Sequence, residues 1–284
     1  MDFSTFLKES AARHNSILCF GIDPDLDQMP PSELGVEEKI VKFYSDIVDA
    51  AIQQESYISA LKPNYAYFAR YGFDGLRALQ RLIKQYSGKI PVILDAKRGD
   101  IGKSSQAYAE EGFKFWGADA ITVSPYMGQD SIQPFLSFCK EGKGAYVLCR
   151  TSNQGAADFQ ALWAHDGKPL FYHVASKIAR WFTPGLGAVV GATAIEDLEK
   201  VLWIFHDAEL EVPLLIPGVG AQGGSARQAA ESLRTIWQQT FALHRINASS
   251  SIAFAWKERQ TQDYVGAALE EMKSLNSQIG KLIL

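Results

Sequence analysis

Short apolar runs alternate with longer amphipathic stretches along most of the 284-residue chain. Eight runs have the length and the continuous apolar character of buried strands, and they cover residues 17–22, 57–61, 92–94, 120–123, 145–148, 188–190, 213–216 and 245–248. Most of the stretches between them have the length and periodicity of helices, namely residues 37–54, 73–86, 104–115, 132–140, 169–181, 195–205 and 264–275. This alternation predicts a parallel sheet that is covered by helices.

Eight strand–helix units with no Gly/Ser-rich linker predict a single α/β domain over residues 1–284. A closed (β/α)₈ TIM barrel fits this pattern better than a doubly wound sheet. An extra N-terminal helix over residues 3–13 is expected to cover the bottom of the barrel. Residues 152–168 and 231–243 fit the repeat poorly, and we expect insertions or longer loop-helix elements there.

The composition is ordinary for a soluble protein with a large core, with 47% hydrophobic and 21% charged residues. A formal net charge of −4 provides no basic surface, which argues against a nucleic-acid or membrane partner. Cys19, Cys139 and Cys149 are widely spaced, so neither a disulfide framework nor a thiolate zinc site is expected. The sequence has no signal-peptide pattern and no long apolar run, and a cytoplasmic protein is therefore expected.

The third predicted strand ends in three charged residues. Asp95, Lys97 and Asp100 follow the apolar run of residues 91–94. Residues two apart share one face of a strand, so Asp95 and Lys97 are expected to point the same way. A buried strand rarely ends in alternating charges unless they serve each other or a ligand. A solvated loop with a salt bridge is the simpler alternative.

The other predicted strands also end in polar residues, among them Asp23, Lys62, Asn64, Ser124, Arg150, Ser152, Thr193, Gln222, Asn247 and Ser250. Any one of these could be a helix cap. In (β/α)₈ barrels, however, the carboxyl ends of the strands meet at one face and build the active site. The pattern therefore predicts a single polar site at that face.

Residues 217–224, after strand seven, contain four glycines. Glycine permits a close approach of backbone N–H groups to an anion, and barrels often bind phosphate after strands seven and eight. A tight turn is the alternative interpretation. The spacing of Gly218, Gly220 and Gly223 formally matches a dinucleotide fingerprint, but the late position and the missing acidic residue argue against it.

No metal site is predicted. Asp23, Asp25 and Asp27 begin with the spacing of a calcium loop, but Gln28 and Leu34 occupy the positions that need glycine and glutamate. The five histidines show no metal-ligand spacing.

Six segments carry a resemblance to a known family. They are Phe-Gly-Ile-Asp-Pro-Asp (20–25), Leu-Lys-Pro-Asn (61–64), Leu-Asp-Ala-Lys-Arg-Gly-Asp-Ile-Gly (94–102), Thr-Ser-Asn (151–153), Val-Gly-Ala-Thr (190–193) and Pro-Gly-Val-Gly-Ala-Gln-Gly-Gly (217–224). Over nearly its whole length the chain resembles the orotidine 5′-phosphate decarboxylases, and specifically their longer bacterial subgroup.

The resemblance implies a cofactor-free decarboxylation of orotidine 5′-phosphate (OMP) to uridine 5′-phosphate (UMP), in pyrimidine nucleotide synthesis. It implies a homodimer with shared active sites and a charged tetrad of Lys62, Asp95, Lys97 and Asp100, with Asp100 supplied by the other subunit. It also implies substrate contacts by Ile101 and Ser104 across the interface, Asp23 and Lys62 at the ribose, Ser152 and Pro217 at the pyrimidine, and Gln222, Gly223 and Gly224 at the phosphate.

The residue types suit this reaction. Loss of CO₂ from a vinylic carbon leaves a carbanion with no conjugated sink, so the site must supply positive charge and a proton. Lys97 is expected to stay protonated between Asp95 and Asp100, which makes it the natural proton donor.

Two positions depart from the family pattern. Ser250 stands where the family usually has a phosphate-binding arginine, and Gln154 stands where Ser-Asn is normally followed by proline. A hydroxyl can bind phosphate, but a charge-assisted bidentate contact is lost. We expect either weaker phosphate binding or a replacement cation such as Arg150 or Lys257.

Two other functions remain open from sequence. A metal-dependent sugar-phosphate decarboxylase or aldolase could use the same barrel, although the second strand ends in Lys62-Pro63-Asn64 where such enzymes carry an acidic ligand. A non-catalytic nucleotide-binding barrel is suggested only by the missing arginine, and all four tetrad residues argue against it.

Overall fold

A computed structural model of the chain describes residues 1–53, 57–220 and 222–282. Its strands are β1 Leu18–Ile22, β2 Ala60–Pro63, β3 Ile93–Arg98, β4 Ala120–Val123, β5 Gly144–Arg150, β6 Leu186–Val190, β7 Leu214–Ile216 and β8 Arg245–Ala248. They form one parallel sheet in the order β2-β1-β8-β7-β6-β5-β4-β3. Isolated bridges from Leu61 to Val92 and from Asn64 to Asp95 join β2 to β3. The predicted (β/α)₈ barrel is confirmed.

The α-helices lie between and around the strands. They are α1 Phe3–His14, α2 Val36–Gln53, α3 Tyr65–Ala69, α4 Gly72–Tyr86, α5 Gly102–Glu110, α6 Gln129–Cys139, α7 Leu170–Trp181, α8 Ile195–Asp207, α9 Ala226–Trp237, α10 Ser250–Ala253, α11 Ala255–Glu258 and α12 Tyr264–Ile279. A π-helical turn, Glu111–Phe115, follows α5, and 3₁₀ turns cover Gln154–Asp158 and Gln238–Leu243. The predicted helix over 37–54 agrees with α2 up to residue 53, and residue 54 lies outside the described residues.

Helix α9 is the main element that the sequence reading did not predict. Its buried face consists largely of small residues, including Ala226, Ala229 and Ala230, so the apolar signal is weak. Ser225 caps its N-terminus by accepting a hydrogen bond from the backbone N–H of Gln228. The stretch 231–243, where we expected an insertion or a longer loop-helix element, consists of the second half of α9 and the 3₁₀ turn Gln238–Leu243.

The N-terminal helix α1 closes the bottom of the barrel. Its Phe3 and Leu7 pack with an inner layer of strand residues, which comprises Cys19, Ala60, Ile93, Ala120, Tyr146, Val189 and Leu215 together with Leu243. The Phe3 ring meets the Tyr146 ring edge-on at 6.0 Å. Since this apolar layer and α1 fill the lower end, a ligand can enter only at the carboxyl ends of the strands.

None of the helices within the described ranges is both long and apolar enough to cross a membrane.

Candidate active site

A cavity of about 1100 Å³ opens at the carboxyl ends of the strands. Several loops and strand ends line it, and they contribute eight of the predicted site residues, namely Asp23, Lys62, Asp95, Lys97, Ser152, Pro217, Gln222 and Ser250. The barrel therefore brings together residues that are far apart in the sequence. Ser124, Arg150 and Thr193, which also follow strands, are not part of the cavity lining.

Lys62, Asp95 and Lys97 form a connected charged array at the base of this cavity. The Lys62 ammonium lies 3.1 Å from Asp95 Oδ2, and the Lys97 ammonium lies 2.7 Å from Asp95 Oδ1. Lys62 and Asp95 are buried, whereas half of the Lys97 side chain is exposed to the cavity. The array thus offers one ammonium group that is free to meet a ligand.

Burial and pairing act against each other in this array. Burial raises the pKa of the Asp95 carboxyl, but Lys62, Lys97 and the Thr122 hydroxyl outweigh it and hold that pKa well below its ordinary value. Burial likewise lowers the pKa of the Lys62 amine, yet Asp95 and Asp23 reverse this and raise that pKa above its ordinary value. Asp95 and Lys62 are therefore both charged near neutral pH.

The end of β3 departs from a regular strand. The register against β4 shifts between Leu94 and Arg98, and Lys97 has a φ of 47° in the left-handed region that few non-glycine residues adopt. On the outer side, Arg98 makes two hydrogen bonds to Glu111, from Nε at 3.0 Å and from Nη2 at 2.7 Å. Asp95 and Lys97 do meet, as alternation predicts, but through a bulged backbone.

Asp100, Ile101 and Ser104 are not brought into the cavity of their own chain. Asp100 Oδ1 accepts a hydrogen bond from the Ile101 backbone N–H at 2.8 Å. Ile101 is 56% exposed, and Ser104 is exposed in the first turn of α5. These three residues lie on an outward surface beside the cavity.

In the glycine-rich loop of residues 217–224, two backbone N–H groups donate to carbonyls of the loop itself. The Gly223 N–H donates to the Gly220 carbonyl at 2.8 Å, and the Gly224 N–H donates to the Gly218 carbonyl at 2.9 Å. Both amides have acceptors within the loop in this conformation, so a phosphate would have to share or replace these hydrogen bonds. Gln222, Ser250 and Ser251 do line the cavity here.

The cations of the lining are confined to the array. Within the described part of the chain, Lys62 and Lys97 are the lining cations, whereas the lining carboxylates are Asp23, Asp25, Asp95, Glu258 and Glu271. Arg150 Nε is bound to Asp197 Oδ2 at 2.9 Å, away from the cavity. Lys257 Nζ donates at 2.7 Å to Oε1 of Gln28, which is a lining residue.

Two polar residues of this region, Thr122 and Asn247, received no individual role from the sequence. Thr122 lies within β4 and contacts Asp95 at 2.9 Å. Asn247 and Asp23 each carry a buried Oδ1 without a hydrogen-bond partner among the described residues. An unsatisfied buried acceptor at a cavity suits a ligand donor. Asn247 was visible as a polar strand end, but a threonine inside a strand gives no such signal.

No group of three or more histidine, cysteine or acidic side chains is placed to hold a metal ion in residues 1–53, 57–220 and 222–282.

A parallel eight-stranded barrel with a charged cavity at the carboxyl ends of its strands is the architecture of the (β/α)₈-barrel enzymes. Residues 16–259 match the model of the orotidine 5′-phosphate decarboxylase / HUMPS family. The chain belongs to this family.

Individual relatives agree with this assignment. The chain is 41% identical over 274 residues to the orotidine 5′-phosphate decarboxylase of Verminephrobacter eiseniae, with 94% of each chain covered. The solved structure of Leishmania donovani OMP decarboxylase is 33% identical, with a TM-score of 0.77 over 98% of this chain and 99% of that one. Leishmania donovani UMP synthase is 35% identical, with a TM-score of 0.80 over 98% of this chain and 57% of that longer chain.

Proposed function

We propose that the chain removes CO₂ from OMP to give UMP, with Lys97 as the proton donor. The observation that carries this proposal is the Lys62–Asp95–Lys97 array, which lies at the catalytic end of a barrel of this family. No cofactor is needed for the step, because the side chains themselves provide charge and a proton.

In this step the bond from C6 of the pyrimidine to the carboxylate carbon breaks, and its electron pair stays on C6 while CO₂ leaves. The Lys97 ammonium stabilises the developing negative charge and then transfers its proton to C6. Lys97 Nζ is held 2.7 Å from Asp95 Oδ1, and this contact fixes the position of the ammonium group in the cavity. Stabilisation of the transition state by fixed charges is the main contribution we expect.

Asp95 lies next to the proposed position of the departing carboxylate. Two like charges about 4 Å apart repel by roughly 4 kcal/mol at an effective dielectric constant near 20. Loss of CO₂ relieves this repulsion. Lys62 offsets part of the Asp95 charge from the opposite oxygen, at 3.1 Å.

We propose a homodimer that completes each site. Asp100, Ile101 and Ser104 face outward beside their own cavity, a placement that suits contact with the neighbouring subunit's substrate. Asp100 of the partner subunit then becomes the second carboxylate beside Lys97. Three buried free cysteines fit a reducing compartment, and we propose a cytoplasmic enzyme.

The remaining lining residues are assigned by their position around the cavity. Asp23 and Lys62 contact the ribose hydroxyls, and Ser152 and Pro217 contact the pyrimidine. Gln222 and Ser250 contact the phosphate from the loops after β7 and β8, the usual phosphate position in barrels. Gly223 and Gly224 shape this loop through their internal hydrogen bonds.

We further propose that Lys257 supplies the phosphate cation that Ser250 lacks. Arg150 is held by Asp197, whereas the acceptors of Lys257 among the described residues are neutral, the Asp27 carbonyl at 3.2 Å and Gln28 Oε1 at 2.7 Å. A lysine without a carboxylate partner can exchange such neutral contacts for a phosphate oxygen at little cost.

The proposal is tested by following the ultraviolet absorbance of OMP with the wild-type protein and with Lys97→Ala. We expect wild-type turnover and a loss of at least roughly 10⁴-fold in kcat for the variant, because proton donation and charge stabilisation are removed together. Lys89→Ala is the matched control, since Lys89 is exposed just before the opposite end of β3 and should leave turnover unchanged.

The same assay separates the alternatives. Absence of OMP turnover, together with turnover of a sugar phosphate that EDTA abolishes and a divalent metal restores, would favour the metal-dependent sugar-phosphate decarboxylase or aldolase. UMP binding without OMP turnover by the wild type would favour the non-catalytic nucleotide-binding barrel. Either result would rule out the proposed mechanism.

A further inference from the structure

A single buried hydroxyl connects the two catalytic residues of β3. Thr122 in β4 is 1% exposed, and its Oγ1 lies 2.9 Å from Asp95 Oδ1 and 2.9 Å from the Lys97 backbone nitrogen. We propose that Thr122 is a positioning residue, which fixes the Asp95 carboxylate and the Lys97 backbone for the proposed decarboxylation. This inference rests on that proposed function.

The direction of both hydrogen bonds follows from the groups involved. A backbone N–H can only donate, so the Thr122 oxygen accepts from Lys97. The one hydroxyl proton is then left for the carboxylate of Asp95, which can only accept. The hydroxyl thus donates its single proton to Asp95 and accepts from Lys97, and it is through these two neighbours that Thr122 acts.

The Lys97 backbone needs such support. Between Leu94 and Arg98, β3 contains two more residues than the matching stretch of β4, where Ile121 pairs with Leu94 and Val123 pairs with Arg98. Within this bulge Lys97 has a φ of 47°, and its N–H cannot join a regular ladder. The Thr122 oxygen takes the place of the missing ladder carbonyl.

Asp95 is held from three strands at once. Lys62 in β2 binds Oδ2, Lys97 in β3 binds Oδ1, and Thr122 in β4 also donates to Oδ1. The two lysines have flexible side chains, whereas Thr122 is β-branched and has few rotamers. Of the three donors, the threonine hydroxyl is therefore the one that best fixes the plane of the carboxylate.

The experiment compares Thr122→Val, which keeps the shape and loses the hydroxyl, with Thr122→Ser, which keeps the hydroxyl. For OMP turnover we expect Thr122→Val to lower kcat roughly ten- to a hundredfold, as misplacement of reacting groups does. We expect its KM to stay within about threefold of wild type, because no substrate contact is removed. Thr122→Ser should recover kcat to within about threefold of wild type.

Thr240→Val is the matched control. Thr240 is also buried and hydrogen-bonded, to the Trp237 carbonyl and to His244 at 3.0 Å each, but it lies at the bottom of the barrel. Its kcat should equal that of wild type even if it melts at a lower temperature. If Thr122→Val does not fold, Thr122→Ala carries the same expectation.

The outcomes distinguish a failure of the positioning role of Thr122 from a failure of the proposed function. Two results with an active wild-type protein would overturn the positioning role alone. In the first, the kcat of Thr122→Val equals that of wild type. In the second, Thr122→Ser is as slow as Thr122→Val. An equal fall of kcat in Thr240→Val would also overturn it. A wild-type protein that does not turn over OMP would overturn the proposed function, and this inference with it.

Discussion

Both ends of the barrel bury a cation, but only the upper end pairs it with a carboxylate. At the carboxyl ends of the strands, Lys62 lies 3.1 Å from Asp95. At the lower end, the Arg245 guanidinium is fully buried and donates to the backbone carbonyls of Leu7, Ala242 and His244. Among the described residues Arg245 has no ion pair.

The two environments change proton affinity in opposite directions. Burial lowers the pKa of Arg245 to about 10, because its carbonyl acceptors do not offset the lost hydration. The pKa of Lys62 is raised, since Asp95 and Asp23 outweigh its burial. The upper pair therefore keeps two opposite charges at the cavity, whereas the lower guanidinium ties helix α1 to β8.

Removal of the Arg245 guanidinium should lower the free energy of unfolding without affecting catalysis. Arg245→Met leaves three buried carbonyls without their donor, one of them in α1, and we expect a loss of about 3 kcal/mol in the free energy of unfolding. The kcat/KM for OMP should stay within about threefold of wild type, because the apolar layer separates the two ends. Denaturant unfolding and the OMP assay measure the two quantities.

Arg13→Met provides the control for this prediction. Arg13 is exposed in the last turn of the same helix, so its replacement should change the free energy of unfolding by less than about 0.5 kcal/mol. Equal stability of Arg245→Met and wild type would mean that the guanidinium does not hold α1 in place.

The sequence predicts the upper end better than the lower end. Apolar runs locate the strands, and charged residues at or directly after their ends, such as Asp95 and Lys97, predict the face that carries the cavity. The sequence predicts a strand that begins at Arg245. An arginine at the start of an apolar run gives no sign that its side chain is buried. Its partners are backbone carbonyls, which no side-chain pattern encodes.

The features of the site that the sequence does not predict have a similar physical origin. The role of Thr122 depends on a register shift between β3 and β4, and that shift is a property of paired strands rather than of one segment. The amides of Gly223 and Gly224 are consumed by carbonyls of their own loop, which glycine spacing alone does not reveal. Helix α9 was missed because its buried face is rich in alanine.

Removal of the Lys257 ammonium at the cavity rim should have the opposite effect to that of Arg245→Met, since it should weaken the binding of OMP and leave stability unchanged. Lys257→Ala should raise the KM for OMP about thirtyfold, equivalent to the roughly 2 kcal/mol of a hydrogen bond to a charged group. The kcat/KM for orotidine, which lacks the phosphate, should not change. The free energy of unfolding should also stay near that of wild type, because the Lys257 side chain is exposed at the rim.

A second substitution makes this prediction specific to phosphate. Ser250→Arg in the Lys257→Ala background should restore the KM for OMP, since a guanidinium then faces the phosphate from the loop after β8. Lys273→Ala, an exposed lysine on α12, is the matched control. If Lys257→Ala lowers the kcat/KM for OMP and for orotidine by the same factor, Lys257 does not contact the phosphate.

The smallest expected effect concerns the pH dependence of the lower end. His244 is buried beside Arg245, and burial is the main reason why its pKa is lowered to about 3. Its Nδ1 accepts from the Leu214 N–H at 3.1 Å, so the imidazole is neutral, with its proton on Nε2 toward Thr240. A second proton would sit on Nδ1 and would replace the hydrogen bond from the Leu214 N–H with a repulsion between two donors.

An unfolded histidine has a pKa of about 6.5, so between about pH 6.5 and pH 3 the unfolded chain binds a proton that the folded chain excludes. Stability should therefore fall as the pH is lowered through this range, by about 1.4 kcal/mol at roughly pH 5.5. His244→Asn should remove this part of the slope in denaturant titrations at several pH values, whereas His206→Asn, a more exposed histidine, should retain it. An unchanged slope in His244→Asn would mean that the buried imidazole accepts a proton in the folded state, and that the lower end tolerates a second unpaired cation beside Arg245.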